Sequence, residues 1–146
     1  YKIFTRELVV RYMERALAYG MLPSYFSNDG YTDRYFENPV YYERDRDLFR
    51  TYVPLAIELA TAGWQPVRTL VSCADESVFV EQFGDRYATV FNSSVGQAKR
   101  VTLRSGRASA AERVTGATCA FADGVFVLEI PPESVRLLDF GAVRQK

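Results

Sequence analysis

The stretch VFVEQFGDRYATVFN, residues 78–92, decides the class of fold. Two runs rich in Val, Phe, Tyr and Thr, Val78–Phe83 and Tyr87–Asn92, flank the turn signal Gly84-Asp85. Such runs read as short strands. Working outward, the same period of two continues, with turn signals about every ten residues. Further candidate strands are Pro66–Cys73, Lys99–Leu103, Arg113–Phe121, Val125–Ile130 and Val135–Phe140. Ser93 to Gly96, Ser105-Gly106, Asp123-Gly124 and Pro131-Pro132 punctuate them. The Asp123-Gly124 pair suits a tight hairpin, because both positions tolerate positive φ. Seven short strands at this spacing predict an antiparallel sandwich or barrel from about Trp64 onward.

Before Gly63 the period is helical. Leu8, Val9, Tyr12, Met13, Ala16 and Leu17 form one stripe, with Thr5 as N-cap and Gly20 as stop. A second stripe runs through Leu48, Phe49, Tyr52, Ala56, Leu59 and Ala60 to Gly63. Asp45 or Asp47 is placed to cap it, and Pro54 within it predicts a kink or two abutting helices. Between the stripes, Met21 to Phe26 reads as one buried strand. A long loop follows, with Tyr31, Tyr35, Phe36, Tyr41 and Tyr42 in it. A loop so long and aromatic inside a compact domain usually has a task. The fold class is therefore α+β: an N-terminal helix–strand–helix segment (1–63), then an all-β antiparallel sandwich (64–146). No internal repeat or low-complexity tract interrupts it.

Lys plus Arg equals Asp plus Glu at 18 each, so a general nucleic-acid or anionic-membrane surface lacks electrostatic support. No apolar run has the length of a membrane span, and no signal-peptide pattern opens the chain. The chain has no histidine. Ser–His–Asp and Cys–His catalysis and the usual His-containing zinc sites are excluded within it. Cys73 and Cys119 are too few for a disulfide framework and too far apart for a zinc knuckle; two buried free thiols are expected, with a bridge between them, which would imply an oxidising compartment, as the alternative. Neither a cofactor nor a metal site is indicated. The first residue, Tyr1, fits either a processed protein or an excised fragment. Asn92-Ser93-Ser94 matches a glycosylation acceptor pattern, a short match that arises often by chance.

The segments GMLPSYFS (20–27), LFRTYVPLAIELATAGWQPV (48–67), YATVFNSS (87–94) and VFVLEIPPESVRLLDF (125–140) carry a resemblance. In this order they resemble the end of a glycoside hydrolase, where a (β/α)8 barrel is followed by a C-terminal β-sandwich. The resemblance implies that Thr5–Tyr19 is the penultimate barrel helix, Met21–Phe26 the eighth strand and Arg46–Ala62 the eighth helix. Its partners would be the missing N-terminal part of the barrel and, through the parent enzyme, a carbohydrate. Barrel sites lie in the loops after the strands, here Tyr25 to Tyr35, with Tyr25, Asn28, Asp29, Tyr31 and Tyr35 as candidate substrate-binding residues. No catalytic residue is expected, because the two carboxyl groups of glycoside cleavage usually come from middle strands.

Plainer readings stand beside these. Asn28-Asp29-Gly30 also fits a simple turn, with Asp29 and Asp33 off the sugar. Tyr25, Phe26, Tyr31 and Tyr35 form either a stacking platform or packing beneath the loop. The run Arg44-Asp45-Arg46-Asp47 reads as a solvated helix start, and Glu76, Glu81, Glu112, Glu129 and Glu133 as surface carboxylates. Trp64 is expected to be buried at the junction, its truncation to alanine costing about 3–5 kcal/mol. Two other functions fit the pattern: a carbohydrate-binding module, marked by a coplanar aromatic row on a sheet, and a scaffold sandwich, marked by mixed charges there.

Overall fold

The computed structural model describes residues 4–24 and 34–141. Helix α1 spans Arg6–Ala18, a short helix α2 spans Pro39–Tyr42, and α3 spans Arg46–Ala62. Nine strands follow among the described residues: β1 Trp64–Gln65, β2 Ser72–Cys73, β3 Val78–Phe83, β4 Tyr87–Asn92, β5 Lys99–Arg104, β6 Ser109–Glu112, β7 Thr118–Ala120, β8 Val125–Ile130 and β9 Val135–Asp139. They form a six-stranded sheet in the order β1-β3-β4-β9-β6-β7 and a three-stranded sheet β2-β5-β8. Every pairing is antiparallel. The α+β class and the C-terminal sandwich are as the sequence predicts.

Strands β4 and β9 are covered on both faces, so they carry no solvent-facing alternation. On one face Tyr87, Phe91, Val135 and Leu137 pack with Val9, Met13 and Leu17 of α1 and Tyr52, Leu55 and Leu59 of α3. On the other, Ala88, Val90 and Leu138 meet Val101 and Leu103 of β5 and Ile130 of β8. The molecule is thus three layers deep, helices on sheet on sheet. Val90, Leu137 and Leu138 are fully buried, and burying side chains of this kind stabilises by about 1.5–3 kcal/mol each.

Local chemistry ends the elements where expected. The Thr5 hydroxyl oxygen accepts from Leu8 N at the start of α1. At its end the Gly20 and Met21 amides donate to Leu17 O and Ala16 O (3.0 and 2.8 Å), a paired cap that needs the positive φ of Gly20. Gly20 also lies on the Phe83 ring, where an added Cβ would come within 2.3 Å of a ring carbon. Asp123 and Gly124 both adopt positive φ (52° and 75°), and Ala122 and Val125 exchange both backbone hydrogen bonds around them. This tight turn carries the chain from the six-stranded sheet to the smaller one.

Several expectations are corrected. Met21–Ser24, the described part of the expected strand Met21–Phe26, lies in no strand, and Met21 and Leu22 are exposed; Tyr25 and Phe26 lie outside the described residues. The expected strand Pro66–Cys73 is strand only at Ser72–Cys73, because the chain moves from the edge of one sheet to the other there. Arg113–Phe121 is a hairpin turn followed by β7, since Gly116 takes φ 82° and the Glu112 carboxylate collects the Val114 and Thr115 amides. α3 is one helix with Pro54 inside it, not two.

Polar contacts join the layers. The Thr89 hydroxyl donates to Ala18 O at 2.6 Å, and Arg113 binds both Glu58 of α3 and Asp139 of β9. Arg86 adds two further bonds to Asp139. Burial pushes the Asp139 carboxyl up, but the bonds from Arg86, the Gly141 amide and Arg113 outweigh it and hold the group at about 2.

Two predictions follow from these contacts. Gly20→Ala combines left-handed strain with overpacking on Phe83 and should cost about 2–4 kcal/mol. Gly96→Ala, with open space around it and no positive φ, should change the urea midpoint little; equal effects would refute the cap's role. Asp139 is held below its unfolded value of about 3.9, so its contribution is complete above that pH and is lost as pH falls towards 2. Discounted for the part-exposed arginines, Asp139→Asn should cost about 1–2 kcal/mol at pH 7. The gap to wild type should close between pH 5 and pH 2 in urea titrations.

Candidate functional site

Of the five residues proposed for substrate binding, Tyr25, Asn28, Asp29 and Tyr31 lie outside the described residues, as does Asp33. Tyr35 is placed, and it does not present a face to a ligand. Its ring is 2% exposed. It stacks on Tyr41 (centroids 5.8 Å, planes 9° apart) and meets Phe4 and Phe36 edge-on at 5.3 and 5.2 Å. Its hydroxyl donates to Asp45 Oδ2 at 2.7 Å. Of the two readings of this tyrosine, the structure has it packed, among Phe4, Phe36 and Tyr41, and not offered as a platform.

Asp45 is the centre of this corner and is fully buried, which takes it out of the solvated helix start read at residues 44–47, where Arg46 and Asp47 are exposed as expected. Its carboxylate makes no cap to α3. It receives Arg44 through Nε and Nη2 (2.8 and 2.7 Å), and Arg6 Nη1 at 3.5 Å. Burial works against its charge, but the bonds from Arg44 and Tyr35 and the two nearby cations outweigh burial and lower its pKa. Arg6 also clasps Asp47 with both terminal nitrogens (3.0 and 2.7 Å). The arrangement ties the start of α1 to the start of α3 and uses up its own carboxylates.

A second buried carboxylate, Glu14, reaches from α1 across the helical layer. It accepts the Tyr52 hydroxyl at 2.5 Å and the Val135 amide. Desolvation raises its pKa against those bonds, and the nearby Glu112 charge adds to the rise. A raised carboxyl is what a general acid needs, but this one is 7% exposed with both oxygens engaged. Glu112, expected on the surface, is 1% exposed and also accepts the Leu137 amide. Glu133 is another correction: its side chain is 11% exposed and pairs with Arg11 and Arg15. No group of three or more metal-binding side chains occurs among the described residues. Asn92 cannot carry a glycan in this fold, since it is fully buried with Nδ2 donating to Gln97 O, Ile130 O and Pro131 O. Cys119 is a buried free thiol and Cys73 a half-buried one.

What remains open to a partner is apolar surface at the sheet edge. Trp64 is 58% exposed, not buried at the junction. Pairing with Phe83 puts it on the helix side of the large sheet, and its Nε1 donates to Glu81 Oε2 at 2.7 Å. Phe79, 45% exposed, faces the same side through its pairing with Phe91, on which Tyr19 packs at 6.4 Å. Met21 and Leu22, just past the end of α1, are exposed as well. The junction residue was misread because a tryptophan next to a helix stop looks the same in sequence whether its ring turns in or out. The outer face of the small sheet is different: Ser72, Arg100, Thr102, Arg104, Val127 and Glu129 are exposed there, with no aromatic side chain among them.

With more than half its surface in water, Trp64 should contribute little to folding. Trp64→Ala is expected to cost about 1 kcal/mol, the scale of one hydrogen bond, in place of the 3–5 kcal/mol of a core position. A large drop in melting temperature would show the indole to be buried after all.

No protein-family model matches the sequence, and no curated protein sequence matches it.

Proposed function

We propose that this chain is the C-terminal portion of a carbohydrate-active hydrolase, its sandwich buttressing a catalytic barrel that cleaves O-glycosidic bonds. The observation that carries the reading is a set of exposed apolar side chains, Tyr19, Met21 and Leu22 at the end of α1 and Phe79 and Trp64 on the helix side of the large sheet. Large apolar side chains left exposed together mark a surface made to be covered. The helices carry more of it beyond their buried stripes, with Leu8 and Tyr12 on α1 and Ile57 on α3 exposed. The buried carboxylates support a buttress in place of a catalyst, because Asp45, Asp139, Glu14 and Glu112 are each committed to arginines, tyrosine or backbone amides. A pair flanking a glycosidic bond must be free to reach it.

One observation favours the alternative of a carbohydrate-binding module: Trp64 is exposed with its indole fixed by Glu81, as a sugar-stacking ring would be. The small sheet argues the other way, since its open face has mixed charges and no aromatic row.

Residues 1–146 alone should not hydrolyse aryl glycosides. The coding sequence upstream of Tyr1 should specify βα units with an acidic residue at a strand end, and the longer polypeptide should be active. Turnover by residues 1–146 that a single Asp or Glu substitution abolishes would overturn the proposal, as would an upstream sequence without βα units. Oligosaccharide affinity lost in Trp64→Ala at unchanged stability would replace it with the binding module.

A further inference from the structure

The arginines of this protein divide into two groups. Arg6, Arg11, Arg15, Arg34, Arg44, Arg46, Arg86 and Arg113 each meet a carboxylate. Arg50, Arg68, Arg100, Arg104, Arg107 and Arg136 meet none among the described residues, and two of these, Arg68 and Arg104, line one open groove of about 320 Å³. The groove runs between the Arg68–Ser72 segment and the turn after β5, Arg104 to Gly106, with Gly124 at its base.

Its walls are held in place from beneath. The Thr69 and Leu70 amides both donate to Gln82 Oε1, at 2.7 and 3.1 Å. The buried Ser105 hydroxyl donates to Leu70 O at 2.6 Å and accepts the Arg107 amide at 3.0 Å, which joins the two walls directly. Ser105 N donates to Gly124 O at 3.0 Å, and a Cβ at Gly124 would lie 3.3 Å from Ser105 O. The backbone is thus fixed without using either guanidinium. No carboxylate lines the groove; Asp123, beside Gly124, is the nearest along this turn and stands outside the lining.

We propose that this groove is a binding site for an oxyanion-bearing ligand about the size of one sugar ring, its anionic group held by Arg68 and Arg104. A guanidinium presents a planar fork that matches a carboxylate or phosphate with two parallel hydrogen bonds. Two such forks left without an internal counter-ion, over a fixed polar floor, form a cationic concavity in a chain of zero formal charge. The volume is at the small end of ligand pockets, which suits a free oxyanion or one sugar ring, including the end ring of a short chain. The same chemistry serves the carboxylate of an acidic sugar and a small free anion. The inference does not depend on the hydrolase reading, since none of the exposed apolar residues lines the site.

Amide-resolved NMR titration of residues 1–146 tests it, with trigalacturonate and inorganic phosphate as anionic probes and maltotriose as the neutral control. Saturable shifts are expected at residues 68–72 and 104–106 with an anionic probe at low salt, and none with maltotriose. Tighter binding of trigalacturonate than of phosphate would identify an acidic sugar as the ligand, and the reverse order a small free anion. Arg68→Gln and Arg104→Gln should each weaken binding about tenfold or more, while Arg50→Gln on α3 should not. Both groove arginines are exposed, so the variants should keep the wild-type melting temperature. Maltotriose binding as well as the anions would overturn the proposal. So would the absence of shifts with both anions, or Arg50→Gln weakening binding as much as the groove variants.

Discussion

The double burial of β4 and β9 is the constraint from which the rest of the molecule follows. A strand apolar on both faces cannot lie at a surface, and YATVFN is buried at all six positions. One face of the large sheet therefore requires the three-stranded sheet, and the other requires α1 and α3. The helices cannot leave without exposing Tyr87, Phe91, Val135 and Leu137, and at about 25 cal/mol per Å² of apolar surface that loss is large. The layers are also bonded through groups that burial makes dependent on one another. Glu14 is tolerable in the interior only because Tyr52 and Val135 supply donors, and Val135 lacks a strand partner on that side. Removing any one of the three leaves a buried polar group unsatisfied.

This packing changes what the N-terminal segment can be asked to do. In a barrel, the apolar stripe of an outer helix faces the barrel strands. Here the stripes of α1 and α3 face the sandwich, so the helices and the sandwich share one core. A barrel that joined them would contact the remaining apolar edges, Leu8, Tyr12 and Ile57, and the surface from Tyr19 to Trp64. The proposed buttress is therefore more than an appendage on a linker. Its helical layer would lie between catalytic body and sandwich, fixed to the latter by Asp139, Glu58 and Thr89.

Residues with one structural option were legible in the sequence, and those with two were not. Val78–Phe83, Tyr87–Asn92 and Val125–Ile130 have the boundaries expected, because β-branched and aromatic runs between turn residues admit little else. The Asp123-Gly124 turn was legible for the same reason: few pairs accept positive φ at both positions. Glu112 was not, since a glutamate that turns inward to collect amides and one that points to water leave the same letter on a strand. Its inward turn also explains the missed hairpin, because the carboxylate does for the Val114 and Thr115 amides what a strand partner would have done. Tyr35 and Asp45 were missed as a pair: one looked like a platform, the other like a cap. A separation of ten positions gave no sign that they would meet. Tertiary pairing of polar groups has no period, so pattern reading does not see it.

The neutral charge balance conceals a division of labour that also explains where function is to be sought. Most carboxylates near the helical layer are spent internally, against arginines at the starts of α1 and α3, at the Arg86–Asp139–Arg113 bridge and along α1 at Glu133. An arginine matched in this way is structural; its field is cancelled within a few ångströms, and the half-exposed pairs are further weakened by salt. On the small sheet Lys99 of β5 meets Asp75 at 4.0 Å, but no carboxylate meets Arg68 or Arg104 among the described residues. Arg68 and Arg104 keep their full field there, over a floor that hydrogen bonds have already fixed. Zero net charge excludes a general polyanion surface but not a local cationic site, because a site's potential depends on charges within about a Debye length and not on the total. The apolar surface at Trp64 and the arginine groove thus offer different chemistries in different places, the first suited to a covering body and the second to a small anion.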